Sequence, residues 1–343
     1  MGQAWDDMLA EFRRLGGIAE NIEQRPGQYG NGIFPVDPSR PVEIFVPGRL
    51  LIDEDQYQLQ GDELVINPAL DIEPEVRGFL DSYQKQFSWG GSGRRDCERF
   101  EISLANLPTT VLDPLKKYRL LDVGSRHQDG LVSAAYRHFL VSRRINHQHR
   151  KVLMPIIELI NHASGSPGYV FDGGIGFKGT SSDEVTVNYS NHSDALMRFL
   201  TYGFASHELR AYSVPFQCKL GDGRRLVIGY DLADVVPGGG VGMPVVRCDA
   251  RNITLSHLVI ASERTPRLPR SVFREVLKEL AQPVVDEIFD RVRGFNIQVL
   301  CDFLTLLDGL QQEVAQTFGK ALRYQLWALS HCYGSRQLPS KHD

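Results

Sequence analysis

The residues best suited to chemistry lie between positions 27 and 204. Tyr189 and Tyr202 stand thirteen positions apart and flank SDALMRFL, while Asn161 and His162 close the apolar run of ELINHA. Upstream, Gly30 and Gly32 sit in GQYGNGIF, and Arg143 sits in FLVSRRINHQHRK. A tyrosine hydroxyl can orient a nucleophile by hydrogen bonding. A guanidinium pairs with a carboxylate through two parallel bonds. Glycines one residue apart let the backbone approach a ligand where any Cβ would clash. Each type also has a plainer use. Glycine pairs make turns, tyrosines at strand and helix ends are core residues with a wet hydroxyl, and a lone His after an apolar run is structural. Most charges in FLVSRRINHQHRK read as the solvated face of a helix end.

Two competing patterns point elsewhere. GIGFKG, Gly174 to Gly179, satisfies the dinucleotide spacing, but the alternating SSDEVTVNY follows it. Without a helix N-terminus to receive a pyrophosphate the fingerprint has no mechanism, so a β-hairpin is expected and a Rossmann domain rejected. His147 and His149 have no Cys or carboxylate company and read as surface residues, so no metal site is expected.

The elements that must hold these residues follow from periodicity. Trp5, Met8, Leu9, Phe12 and Leu15 recur at three- and four-residue spacing, which predicts an opening helix stopped at Gly16-Gly17. Val42 to Val46, Arg49 to Ile52 and Glu63 to Ile66 read as strands. Residues 72–140 read as helical, interrupted by a loop at SWGGSGRRD, Ser88 to Asp96. Strands return over 152–189. After Pro215 come a β-rich stretch with a GDGRR turn at 221–225, a glycine-rich loop at 238–242, and helices from Ser271 to about Tyr333.

Composition sets the outer limits. With 343 residues, 42% hydrophobic and 23% charged, the chain can bury sizeable cores and is not a disordered composition. A net charge of −4 argues against nucleic acid, whose binding draws on a basic surface. The five widely spaced cysteines read as free thiols of a reducing cytoplasm. No apolar run is long enough for a membrane span, no signal pattern opens the chain, and MGQAWD lacks the Ser or Thr of a myristoylation site. The expectation is a cytoplasmic protein without membrane or nucleic-acid partners.

Taken together, the motifs resemble the C-terminal half of a SET domain. Within that class they are most similar to the Rubisco large-subunit methyltransferase group, whose members read roughly D-x-x-N-H, Y, S-N-A-E-L and Y-G-F. The resemblance covers about residues 8 to 210. Where the group has Ser after the Asn-His pair this chain has Ala163, and where it has Ser-Asn this chain has Ser193-Asp194, an equally good helix start.

The resemblance implies an α+β fold: a β-rich SET core with a knot-like C-terminal crossing, a helical insertion and a mostly helical C-terminal lobe. The implied divisions are 1–70 for the first helix and strands, 71–138 for the insertion, 139–212 for the cofactor and catalytic motifs, and 213–343 for a substrate-binding lobe. It implies S-adenosylmethionine as cofactor, held by Tyr29, Gly30, Asn31, Gly32, Arg143, Asn161, His162 and Tyr202. Tyr189 would be the catalytic tyrosine. Ser142, Ile145, Glu158, Tyr202 and Phe204 would face the acceptor, Ser142 and Glu158 through their carbonyls.

Methyl transfer from a sulfonium to an amine needs a neutral nucleophile, close approach and exclusion of water. Desolvation and the sulfonium charge lower a lysine's pKa, so no strong base is required. Two residues after Arg143 the histidine-modifying relatives carry Asn, whereas this chain has Ile145, whose aliphatic wall suits a lysine stem. The expected activity is methylation of a lysine in a non-histone protein. The alternatives are an inactive SET-fold binding module and a methyltransferase for protein histidine or a small amine.

Overall fold

The computed structural model describes residues 2–28, 30–121, 130–189, 193–230 and 243–332. Contacts gather the chain into two units, Met1–Ile102 with Arg126–Ser190, and Ser103–Ser125 with Asn191–Asp343.

The first unit opens with helix α1 (Gly2–Arg14), whose Trp5, Met8, Leu9 and Phe12 fall on one buried face, as their spacing predicts. Strands β1 (Ile18–Glu20), β2 (Ile22–Gly27), β3 (Gly30–Pro35), β4 (Val42–Pro47), β5 (Ile52–Asp53), β6 (Tyr57–Gln60) and β7 (Glu63–Ile66) follow. Two of the three strands expected here form. The third, Arg49 to Ile52, does not, because Leu50, Leu51 and Ile52 are all buried and a half-buried strand cannot turn consecutive side chains inward. The chain makes a 3-10 turn at Gly48–Leu50 instead, with Arg49 Nε donating to the Leu15 carbonyl at 3.0 Å.

Helices α2 (Pro74–Gln86) and α3 (Arg94–Ala105) are joined through a π-helical turn at Trp89–Gly93, where a loop was expected. Trp89 fixes that turn: it is buried, its indole N–H donates to the Asp62 carbonyl at 2.8 Å, and Phe139 meets its ring edge-on at 5.2 Å. Helix α4 (Thr109–Lys117) belongs to the second unit, and α5 (Leu131–Arg143) returns to the first. The helices of 71–138 are therefore shared between the units.

After α5 the hairpin β8 (Arg144–His147) and β9 (Arg150–Leu153) forms, then β10 (Asn161–His162), β11 (Val170–Phe171), β12 (Gly174–Gly179) and β13 (Thr186–Val187). GIGFKG is strand β12 throughout. It pairs antiparallel with both β4 and β11, so it makes one arm of the expected hairpin. Strands β10 and β13 pair in parallel, Asn161 with Thr186 and His162 with Val187. Val185 N–H also donates to the Ile33 carbonyl at 2.8 Å, which brings β3 alongside the same segment. His147, expected at the surface, is buried and stacks on Phe171.

The second unit adds α6 (Ala195–Tyr202), β14 (Arg210–Tyr212), β15 (Phe216–Lys219), β16 (Arg225–Ile228), β17 (Val246–Cys248), β18 (Asn252–Leu255), β19 (Val259–Ser262), α7 (Leu268–Val276), α8 (Gln282–Leu307) and α9 (Glu313–His331). GDGRR makes the expected turn between β15 and β16, whose sheet runs β15-β16-β18-β17. The glycine-rich loop at 238–242 and Tyr333 lie outside the described residues. Phe199 of α6 stacks on Phe318 of α9 at 4.8 Å, and Tyr118, just after α4, packs edge-on against Phe295 and Phe303 of α8. The C-terminal helices thus complete a core that α4 and α6 share.

The chain is of the expected mixed α and β class. No helix among the described residues is long and apolar enough to cross a membrane. The five cysteines are free, and burial pushes the Cys97 thiol up to about 12, which keeps it protonated and unreactive.

Candidate active site

The hairpin of β2 and β3 brings the glycine pair to one side of the Asn-His segment. Gly30, at φ +98°, adopts the left-handed backbone that closes the hairpin. A Cβ on Gly32 would stand 2.2 Å from Glu184 Oε1 and 2.8 Å from Asn161 Nδ2. The close approach that Gly32 permits is thus used within the protein, by a carboxylate and an amide. Asn161 Nδ2 donates to Glu184 Oε1 at 2.6 Å and to the Asn31 carbonyl at 3.2 Å.

Beside this hairpin lies a cleft enclosing about 490 Å³, its open mouth included. Five of the residues singled out in the sequence line it: Gly30, Asn31, Arg143, Glu158 and Asn161. The 3-10 turn Ile157–Leu159 presents Glu158. It follows Ile156, which is held at φ +66°, a strained position for a β-branched residue that full burial enforces.

Glu158 is 4% exposed. Its Oε1 accepts from Tyr83 Oη at 2.9 Å and from Ser88 Oγ, while Oε2 is buried without a hydrogen-bond partner among the described residues. Burial pushes its carboxyl above the usual range, against the pull of Arg143 and of the Ser88 and Tyr83 hydrogen bonds. Arg143 Nη1 donates to the Glu158 carbonyl at 3.2 Å, its one hydrogen bond among the described residues. The remaining guanidinium N–H groups make no hydrogen bond among the described residues.

The other expected site residues described in the first unit, Ser142, Ile145, His162 and Tyr189, are not among those that line the cleft. His162 is buried, and its Nδ1 accepts the Tyr189 N–H at 3.2 Å, which assigns the ring proton to Nε2 if the imidazole is neutral. The two rings meet at 5.2 Å. Tyr189 Oη donates to the Ile160 carbonyl at 2.9 Å. Ser142 Oγ donates to the Phe139 carbonyl at 3.0 Å, and Ile145 packs half-buried on the core from β8. Tyr202 and Phe204 belong to the second unit, with ring centroids 5.7 Å apart. Tyr29 lies outside the described residues.

The cleft also takes Gln24, Phe87, Ser88, Ser92, Gly93, Asp96 and Leu159, which sequence reasoning missed. Four of them come from SWGGSGRRD. Its glycines suggest a loop, and only the burial of Trp89 reveals a turn that carries serines and an acid into a site. Glu184 was missed as well, within the strand pattern of SSDEVTVNY.

No family model matches the chain. Over 92 residues, 26% of this chain and 75% of the relative, it is 34% identical to an uncharacterized protein of Aquifex aeolicus (strain VF5), and it belongs to the same family as that protein. Among solved structures it is similar to Rubisco LSMT bound to AdoMet, at 13% identity and a TM-score of 0.44, over 97% of this chain and 91% of that one. It is also similar to the SET domain of LSMT bound to lysine and AdoHcy, at 13% identity and a TM-score of 0.42, over 97% and 90% of the two chains.

Proposed function

We propose that this chain is a SET-fold protein methyltransferase that uses S-adenosylmethionine to methylate a lysine side chain of a non-histone protein in the cytoplasm. The observation that carries the reading is the convergence of Gly30, Asn31, Arg143 and Asn161 on one cleft. Their donor set fits the amino-acid end of the cofactor. Arg143 has guanidinium N–H groups to spare for a carboxylate, and Asn161 Oδ1 has no partner among the described residues and can accept from an ammonium.

When bound, S-adenosylmethionine supplies an electrophilic sulfonium methyl for in-line displacement by a neutral amine. The chain's own residues would prepare that amine. The Tyr189 hydroxyl, which donates to the Ile160 carbonyl, would orient the amine, as the sequence resemblance implies. The carbonyls of Ser142 and Glu158 would complete the acceptor ring, and Ile145 would give an aliphatic wall to the lysine stem. Removing the amine from water lowers its pKa, so these groups orient it without ionising. Tyr202 and Phe204 keep their proposed role on the sequence resemblance.

The test is intact-mass measurement and label transfer after incubation with methyl-labelled cofactor and host lysate, with acid hydrolysis to identify the modified residue. Methyl-lysine supports the proposal, and methyl-histidine or a labelled small amine replaces it. Tyr189→Phe should lower turnover at least about tenfold while cofactor affinity stays within a few-fold, because the hydroxyl acts on the amine and not on cofactor binding. Full activity in that variant would make Tyr189 a core tyrosine.

A further inference from the structure

We infer that Glu184 is a positioning residue that decides which end of the Asn161 amide faces the cleft, so that the site presents an acceptor to the cofactor's α-ammonium group. The inference rests on the proposed cofactor. Its evidence is independent and lies in the hydrogen bonds around one side chain.

The Asn161 NH2 has two partners, Glu184 Oε1 at 2.6 Å and the Asn31 carbonyl at 3.2 Å. An amide can usually be turned over with little change in shape, and its neighbours must decide the orientation. Here the backbone carbonyl can accept only, and so can an ionised carboxylate. Turning the amide over would press Oδ1 against two acceptors and lose both bonds. With the NH2 held this way, Oδ1 points away from them and can accept an N–H.

The fold makes room for this arrangement. A Cβ on Gly27 would lie 2.6 Å from Glu184 Oε2, and one on Gly32 would lie 2.2 Å from Oε1, so the carboxylate occupies space that two absent side chains leave over the β2 and β3 hairpin. Its backbone is tied by Ser181 Oγ donating to the Glu184 carbonyl at 3.0 Å. Oε2 is buried and has no partner among the described residues, so a glutamine would serve packing equally well. A glutamine, however, could offer its own NH2 to Asn161 Oδ1, so that the Asn31 carbonyl alone would oppose the turn. Carboxylate at 184 sets the second and nearer acceptor against the turned amide.

The experiment compares S-adenosylhomocysteine with its analogue lacking the α-amino group, by titration calorimetry on the full chain. Wild-type protein should bind the desamino analogue at least about tenfold more weakly, the loss of a hydrogen bond to a charged group. In Glu184→Gln that discrimination should shrink to about twofold or less while the melting temperature holds. Glu184→Asp, which keeps two acceptor oxygens, should retain more of it. A Glu184→Gln protein that discriminates as the wild type does overturns the inference alone. A wild-type chain that binds neither ligand overturns the functional proposal and this inference with it. Should Glu184→Gln fail to fold, nitrogen-15 spectra of the ligand-free wild type decide: slow solvent exchange of both Asn161 side-chain amide protons is expected, and fast exchange of either overturns the inference.

Discussion

Glu158 carries its carboxyl where water cannot reach it, and the arrangement has a pH signature. Burial raises its pKa in the folded chain, against the pull of Arg143. A carboxyl so raised favours folding while protonated. That contribution is full below the ordinary glutamate range and is lost as pH climbs through the elevated value. Wild-type melting temperature minus that of Glu158→Gln should therefore fall across this window, as read by differential scanning fluorimetry in a pH series. A pH-independent difference would mean that Glu158 ionises as freely folded as unfolded. Glu158, Asn161 and Arg143 were singled out by the motifs that carry the family resemblance, and all three line the cleft. Glu184 was not, since what identifies it is contact with Asn161, 23 residues away, and with a hairpin farther still.

Helix α6 starts where the sequence says it should, yet its N-cap residue does more than cap. Asp194 accepts the Met197 N–H, as an N-cap does, and also the Tyr212 N–H, Tyr230 Oη and Gln325 Nε2, while fully buried. Asparagine caps a helix as well as aspartate. An asparagine here, however, would set an NH2 against donors on other elements. Asp194→Asn should destabilise the chain by about 3 kcal/mol in urea unfolding, far more than a cap exchange costs. A loss within the scatter of surface substitutions would reduce Asp194 to a cap. The cap was readable from local pattern, whereas the three remote partners depend on where β14, the residues just after β16 and α9 return. Elements were misread for a related reason. Arg49 to Ile52 looks like a strand until each of its apolar residues needs burial, and SWGGSGRRD looks like a loop until Trp89 needs a place to hide.

At the scale of the whole chain, reading in order suggested a core, an insertion, a second core segment and a tail. Contacts interleave these pieces instead. Segment 103–125 joins the C-terminal helices through Tyr118, and residues 126–190 return to the first 102. Periodicity gives each helix an apolar face without saying which distant face it meets, so the α+β class and most elements were legible and their grouping was not. The proposed cofactor residues Gly30, Asn31, Arg143 and Asn161 nevertheless all fall within the first unit. The central claim is that their cleft holds S-adenosylmethionine. Titration calorimetry of the full chain with S-adenosylmethionine and S-adenosylhomocysteine tests it most directly. The account predicts saturable binding of both at one site per chain, weakened at least about tenfold by Arg143→Ala through the lost carboxylate pairing. Absence of binding by either ligand, or binding that Arg143→Ala leaves unchanged, would contradict it.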